Sequence, residues 1–186
     1  WWPEDVSFAD AAAMAGAKAI AEAGIDKRRI SLLIDSSVCR EHLEPSTAVA
    51  VHHQLELAPG CMNFDLSNAC LGFVNAMQMA ATMIDAGHIE YALVVDGEGS
   101  RRTQQKTLER LSRPDATAED VWSQFASLTL GSGGTAMVLG RADQHPEGHR
   151  IVGAVTSAAT QHNELCVGTL DDMRTDSKAL FAAGVQ

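Results

Sequence analysis

The amino-acid sequence predicts an α/β fold in which helices cover a mostly parallel β-sheet. Segments with the apolar spacing of helices alternate with short runs of β-branched and aliphatic residues, and this alternation is typical of layered α/β proteins. The chain has 186 residues, of which 46% are hydrophobic and 20% are charged, enough for one domain with its own hydrophobic core. We therefore expect a single domain over residues 1–186.

The first part of the chain predicts helix, strand, helix and strand in turn. Ser7 and Asp10 have the spacing of a capping box, and the alanine-rich helix that begins there meets a stop signal at Gly24. Next come a short apolar run, a helix with Pro and Ser at its start, and a second short apolar run. This strand, helix and strand are expected at residues 30–34, 45–57 and 62–66.

A helix from about Cys70 to Ala86 is expected to lie deep in the protein. Apart from one polar stripe, its residues are apolar or small, which is typical of a helix wrapped by protein on nearly every side, as between two sheets. The apolar run Tyr91–Val95 follows as a buried strand, parallel to the strand before it because a helix connects them. The polar residues of the helix form one narrow stripe, namely Asn75, Gln78, Thr82 and Asp85.

The second part predicts charged surface helices, a hairpin and a strand. Residues 101–120 are rich in charge and contain Pro114, so exposed helices and a loop are expected there. Leu128–Leu130 and Ala136–Leu139 flank the glycine-rich stretch Gly131–Gly134, which is the pattern of a β-hairpin. Residues 151–159 predict one more strand.

Charge and cysteine usage exclude several classes of function. The net charge of −10 argues against a nucleic-acid partner, whose phosphates attract a basic surface. The four cysteines, at positions 39, 61, 70 and 166, form no CxxC pair, so neither a zinc site nor a thioredoxin motif is predicted. We expect no metal and no cofactor. Neither a transmembrane segment nor a secretory signal pattern is found. We expect a cytoplasmic protein with free thiols.

Two residues are candidates for chemistry. Cys70 lies where a strand and a turn lead into a helix, and the positive end of a helix favours a thiolate and can bind an oxyanion. The alternative is a small buried hydrophobic residue, since cysteine is among the most buried types. Glu44 precedes a helix, where a solvated carboxylate is also favoured by the helix dipole. From spacing alone, a solvated surface carboxylate is a stronger interpretation of Glu44 than a catalytic one.

Two other motifs are set aside. The stretch Gly131–Ala136 fits the GxGxxA form of the dinucleotide fingerprint, but an apolar strand follows it where the fingerprint needs a helix. We interpret these glycines as a turn that allows close backbone approach. His162 has the chemistry of a base for a cysteine, yet no motif supports that role, and we do not assign it one.

Five segments recur together in one known family: Ser36–Arg40, Leu43–Thr47, Asn63–Phe73, Tyr91–Glu98 and Leu128–Val138. Together they resemble thiolase-superfamily condensing enzymes of the ketoacyl-ACP synthase III type. With the later run 173–176, the similarity is greatest to the acyl-CoA-condensing branch that serves bacterial long-chain olefin synthesis. The resemblance covers essentially the whole chain.

The resemblance implies a thiolase-like fold with αβαβα layers, of which this chain carries the first, nucleophile-bearing half, incomplete at both ends. It implies that Cys70 takes an acyl group from acyl-CoA and that a second acyl-CoA attacks the thioester in a non-decarboxylative Claisen condensation. Glu44 matches the glutamate that reaches across a homodimer as the proposed base. The histidine and asparagine of the family's second half have no counterpart among these residues.

Two alternatives stay open. One is a decarboxylating β-ketoacyl-ACP synthase III that uses acyl-ACP or malonyl-ACP, for which no base at Glu44 is needed. The other is a non-catalytic subunit of a thiolase-fold heterodimer, which keeps the fold and supplies contacts or Glu44 to its partner. An intact Cys70 argues against the second alternative, because a scaffold has no need for a thiol there.

Overall fold

The computed structural model describes residues 1–3, 6–169 and 172–184 of the chain. These residues form two compact units. The first, here called the sheet unit, comprises Trp2–Glu98 and Gly133–Ala154; the second, the helical unit, comprises Trp1, Gly99–Ser132 and Val155–Gln186. The expectation of one domain over the whole chain stays a prediction.

The sheet unit contains four strands in the order β2-β1-β3-β4. The first three are parallel and β4 runs antiparallel to β3, which confirms the predicted mostly parallel sheet. In chain order the elements are α1 (Phe8–Ala23), β1 (Ile30–Asp35), α2 (Thr47–Leu55), β2 (Met62–Asp65), α3 (Gly72–Asp85), β3 (Tyr91–Glu98) and β4 (Gly133–Leu139).

Helix α1 begins and ends where the sequence predicts. The side chain of Ser7 accepts the N–H of Asp10 and the side chain of Asp10 accepts the N–H of Ser7, a complete capping box. Gly24 ends the helix with φ of 62°, in the left-handed region that glycine adopts without steric cost.

Both faces of the sheet are covered. Leu33 and Leu93 belong to the core that the sheet forms with α1 and α2, whereas Leu32 and Val94 belong to the core that it forms with α3. All four side chains are fully buried. Successive side chains of one strand thus point to opposite faces of the sheet, and both faces are buried. This explains why the strands of this sheet are apolar along nearly their whole length.

Two glycines bring α1 unusually close to the sheet. Gly97 on β3 and Gly134 on β4 are paired in register. A Cβ atom on Gly97 would lie 2.1 Å from the carbonyl oxygen of Phe8, and one on Gly134 would lie 2.6 Å from that of Ala11. The close approach inferred for the glycine-rich stretch is therefore present at Gly134, but within a strand and against a helix.

The predicted hairpin before β4 is wrong. Leu128 and Thr129 form the last turn of a helix, α5 (Ala118–Thr129), which starts at a capping box between Thr117 and Asp120. The glycines at 133 and 134 lie inside β4, which pairs with β3. Helix capping and the amphipathic pattern of α5 outweigh the short apolar run that had indicated a strand.

The strand predicted at residues 151–159 is also absent from the structure. This segment has no regular secondary structure. Val152 is 97% exposed and Val155 is 99% exposed, so the β-branched pattern that favours a strand finds no partner among the described residues. A single extended segment gains no ladder hydrogen bonds, and pattern alone does not make it a strand.

Helix α3 is less enclosed than predicted. Only the stripe Gly72, Ala76, Ala80 and Ile84 is buried, and it packs on the sheet. Val74 and Met79 remain 56% and 42% exposed, because within the described ranges the sheet covers one side of the helix.

The helical unit confirms the exposed helices expected from residue 101 onward. Thr107 on helix α4 (Arg101–Leu111) and Ser127 on α5 are buried, with their hydroxyl oxygens 2.8 Å apart, so polar contacts join the two helices. Across the described residues, no helix combines the length and apolar character needed to cross a bilayer. Besides α5, the unit contains α4 (Arg101–Leu111), β5 (Cys166–Gly168), β6 (Met173–Thr175) and α6 (Ser177–Gly184).

Candidate active site

Both candidate residues follow the carboxyl ends of parallel strands. β1 leads into the loop that carries Glu44, and β2 leads into the turn that carries Cys70. Since the two strands are parallel neighbours, with Asp35 and Asp65 paired in register at their ends, both segments leave the sheet at the same edge. That edge is where open α/β sheets bind ligands.

Cys70 is exposed and lies in a single 3₁₀ turn, Ala69–Leu71, directly before α3. Leu71 is the N-cap residue of α3, and its side chain has no acceptor for the N–H groups of the first helical turn. The N–H of Gly72 already donates to the carbonyl oxygen of Ala69, whereas the positive end of the helix dipole favours a thiolate or an oxyanion beside Cys70. The alternative of a buried cysteine does not describe this residue.

The backbone just before Cys70 is strained. Ala69 has φ of 43°, in the left-handed region that non-glycine residues rarely occupy. Such a conformation costs about 1–3 kcal/mol and persists only where the surroundings enforce it. Asn68 helps to enforce it, since its side-chain amide donates to Asn75 on α3 at 2.6 Å.

Gly72 holds the Cys70 turn against the end of β1. A Cβ atom at Gly72 would lie 2.9 Å from the carbonyl oxygen of Ser36 and 3.3 Å from that of Leu66. Only glycine allows this approach, so the start of α3 lies against the residue that follows β1.

A buried acid supports the same edge. Asp35 has no exposed surface, and its carboxyl accepts the hydroxyl of Ser37 at 2.8 Å, while the hydroxyl of Ser37 accepts the N–H of Gly97. Burial, together with the nearby carboxylates of Asp65 and Asp96, raises the pKa of Asp35 to about 7. This network joins the end of β1 to β3 beneath the candidate site.

Glu44 lies at the tip of the loop between β1 and α2 and is exposed. The preceding residue, Leu43, is 95% exposed, so an apolar side chain and a carboxylate project together. Within the described residues no hydrogen bond joins Glu44 to Cys70, although both segments lie at one edge of the sheet.

The other cysteines and His162 have different surroundings. Cys61 is buried, and burial raises the pKa of its thiol to about 11, which disfavours the reactive thiolate. Cys39 is half-buried and Cys166 is exposed on β5. His162 lies in the short turn Thr160–His162 of the helical unit.

Sequence reasoning missed three acids of this edge: Asp35, Asp65 and Glu98. Each lies at or near the end of an apolar strand, so its position at this edge of the sheet is visible in the sequence. The groups that it binds lie on other segments and are not visible there. The strained φ of Ala69 has no such signal, because alanine does not favour the left-handed region.

A mostly parallel sheet is covered on both faces, and Gly72 packs a cysteine turn on the strand ends; with the match to a solved thiolase-fold enzyme reported below, these residues form part of a thiolase-like fold. The model of the 3-oxoacyl-(acyl-carrier-protein) synthase III family matches residues 64–159, and the chain belongs to that family.

The relatives by sequence include two proteins named acyl-CoA:acyl-CoA alkyltransferase. The chain is 47% identical over 185 residues to the one from Xanthomonas campestris pv. campestris and 32% identical over 198 residues to the one from Shewanella oneidensis. In both cases all of this chain is covered, but only 55% and 56% of the relative. The chain thus spans about half the length of the curated relatives it matches.

A third relative and the solved structures complete the comparison. A β-ketoacyl-(acyl-carrier-protein) synthase III from Vibrio parahaemolyticus is 38% identical over 104 residues, which cover 56% of this chain and 33% of that protein. A cysteine-to-serine variant of Xanthomonas campestris OleA, solved with bound lauric acid and lauroyl-CoA, has a TM-score of 0.94 at 47% identity. The match covers 99% of this chain and 55% of that one. Other solved OleA variants carry substitutions of a histidine and of a glutamate.

Proposed function

We propose that the chain is the nucleophile-bearing part of an acyltransferase that joins two acyl-CoA molecules by non-decarboxylative Claisen condensation. The observation that carries this proposal is the exposed Cys70, set on a strained turn before α3 in a chain 47% identical to an acyl-CoA:acyl-CoA alkyltransferase. The reaction uses acyl-CoA as substrate and needs no cofactor.

In the first step Cys70 acts as the nucleophile. Its thiolate sulfur attacks the carbonyl carbon of an acyl-CoA, the tetrahedral oxyanion forms, and CoA leaves as a thiolate when the C–S bond to CoA breaks. The N–H groups at the start of α3 are suited to stabilise that oxyanion. Exchange of one thioester for another is nearly balanced in energy, so a soft thiolate is a suitable carrier.

In the second step Glu44 acts as the base. Its carboxylate takes an α-proton from a second acyl-CoA, the carbanion attacks the Cys70 thioester, and the Cys70 thiolate leaves, giving a β-ketoacyl-CoA. The spacing supports this role. The glutamate and the cysteine substituted in the OleA variants are 26 residues apart, and so are Glu44 and Cys70.

The proposal includes a homodimer in which Glu44 serves the partner's site; a thiolase-fold heterodimer is the alternative assembly. The exposed tip formed by Leu43 and Glu44 suits a segment that enters another subunit. The histidine substituted in OleA follows its cysteine by 142 residues, and none of the seven histidines of this chain has that spacing from Cys70. The free cysteines agree with a cytoplasmic site of action.

The second candidate function is a decarboxylating β-ketoacyl-ACP synthase III. The 38% identity over 104 residues to the Vibrio parahaemolyticus enzyme supports it. Loss of CO₂ from malonyl-ACP itself generates the carbanion, so no base is needed at Glu44.

The side chain of Glu44 separates the two functions. In the full-length protein, Glu44→Ala is expected to lower β-ketoacyl-CoA formation from two acyl-CoA molecules by about 10²–10⁴-fold while Cys70 is still acylated, because only the second step needs the base. Product is followed by mass spectrometry, with His42→Ala, a change at an exposed residue of the same loop, as the control. Unchanged condensation by Glu44→Ala, or turnover that depends on malonyl-ACP, would favour the decarboxylating enzyme.

A further inference from the structure

The loop between β1 and α2, residues 36–46 and here called the Glu44 loop, has no helix or strand of its own. A base on such a loop needs external supports, since a displacement of about 1 Å in a reacting group can cost about 10²-fold in rate. The supports are carboxylates from two neighbouring strands.

Glu98, the last residue of β3, binds the start of the Glu44 loop with both carboxylate oxygens. Its Oε1 accepts the N–H of Val38 at 2.6 Å and its Oε2 accepts the N–H of Cys39 at 3.1 Å. Two consecutive backbone donors require two acceptors side by side, and an ionised carboxylate provides them.

Asp65, the last residue of β2, binds the start of α2, directly after the Glu44 loop, in the same way. Its Oδ2 accepts the N–H of Thr47 at 3.0 Å and its Oδ1 accepts the N–H of Ala48 at 2.8 Å. These are N–H groups of the first turn of α2, where the side chain of the N-cap residue, Ser46, makes no capping hydrogen bond. Asp65 therefore caps α2 from the neighbouring strand, with its side chain only 6% exposed.

Charged side chains of the loop itself complete the attachment. Arg40 approaches Asp65, with Nη1 3.5 Å from Oδ2. Glu41 accepts the N–H of Phe8 at the start of α1, at 2.5 Å. The loop is thus attached before and after its tip, while Leu43 and Glu44 project from it.

We infer that Glu98 and Asp65 are positioning residues for Glu44: their carboxylates fix the two ends of the Glu44 loop and so set where the base meets the α-proton of the second acyl-CoA. This inference rests on the proposed function. For Glu98 it concerns the condensation step, because the carboxylate of Glu98 binds the Glu44 loop and not the turn that carries Cys70.

Glu98 provides the sharper test, since Asp65 also caps a helix and its loss would disturb the fold. Glu98→Gln keeps the shape of the side chain but replaces one acceptor oxygen by an NH₂ group that faces a backbone N–H. In the full-length protein we expect condensation to fall about 10–100-fold and Cys70 acylation to change less than about twofold. Glu98→Asp, which keeps the carboxylate, is expected to recover part of the loss. Glu90→Gln, at the residue directly before β3, is the control.

Two further readouts distinguish positioning from general damage. Amide hydrogen exchange at Val38 and Cys39 is expected to quicken in Glu98→Gln. In a Glu44→Ala background, Glu98→Gln is expected to lower condensation no further, because the residue acts through Glu44.

Each outcome decides a different claim. Equal losses in acylation and condensation, or no loss in either, would overturn the positioning role of Glu98. Unchanged exchange at Val38 and Cys39 would show that Glu98 does not hold the loop. Normal condensation by Glu44→Ala alone would instead overturn the proposed base, whatever Glu98→Gln does, and the positioning role with it.

Discussion

At the residue scale, the candidate site combines one strained residue with several that are fixed by neighbours. Ala69 occupies the left-handed region at φ of 43° directly before Cys70. Because alanine gains nothing from that conformation, the packing of Gly72 on Ser36 and the bond between Asn68 and Asn75 must maintain it.

The buried acid Asp35 makes stability depend on pH. Its pKa rises from 3.8 to about 7 on folding, so the folded state binds more protons than the unfolded state between these values. The contribution of Asp35 therefore favours folding below about pH 4 and is lost as the pH rises to about 7, at up to about 1.4 kcal/mol per pH unit.

Asp35→Asn imitates the protonated acid and does not titrate. We expect its free energy of unfolding, measured in urea from pH 4 to 8, to increase relative to that of the unchanged protein as the pH rises, because only the unchanged protein loses the contribution of protonated Asp35. A difference between the two proteins that stays constant with pH would contradict the buried, protonated Asp35.

At the scale of elements, the close approach of α1 to the sheet depends on glycine. Gly97→Ala would place a methyl group 2.1 Å from the carbonyl oxygen of Phe8, and neither backbone can yield easily. We expect a loss of about 1–3 kcal/mol in the free energy of unfolding, measured by denaturant titration.

Gly60→Ala is the matched control, because no atom lies within 4 Å of a Cβ built there. Its free energy of unfolding is expected to change by less than about 0.5 kcal/mol. Equal stability of the two variants would mean that α1 does not pack on Gly97 as described.

The elements also show what the sequence can and cannot predict. The capping box at Ser7, the stop at Gly24 and the parallel strands are local signals, and the structure confirms them. The predicted hairpin is wrong because an apolar residue such as Leu128 fits a strand and the last turn of a helix equally well. The capping box at Thr117 contained the information needed to choose the helix.

At the scale of the whole molecule, residues 1–186 show part of a fold and part of a site. Val74 on α3 and Val155 on an extended segment are apolar and exposed, and both follow sequence patterns that predict burial. The relatives at 47% and 32% identity are nearly twice as long as the matched region. Burial depends on which segments pack against a residue in the folded protein. The sequence pattern therefore predicted which faces are apolar, but not which of those faces are buried.

The candidate site divides in the same way. Cys70 was predicted from its place at a helix start and Glu44 from the family resemblance, and their catalytic roles stay proposals. Asp35, Asp65 and Glu98 were not predicted, since their importance lies in hydrogen bonds between segments distant in sequence.

The central claim is that Cys70 carries the acyl group, and intact mass spectrometry of the full-length protein after exposure to lauroyl-CoA tests it most directly. We predict one added acyl group on the unchanged protein and on Cys166→Ala, which loses another exposed thiol, and none on Cys70→Ala. Acylation that persists in Cys70→Ala, or no acylation of the unchanged protein, would contradict the account.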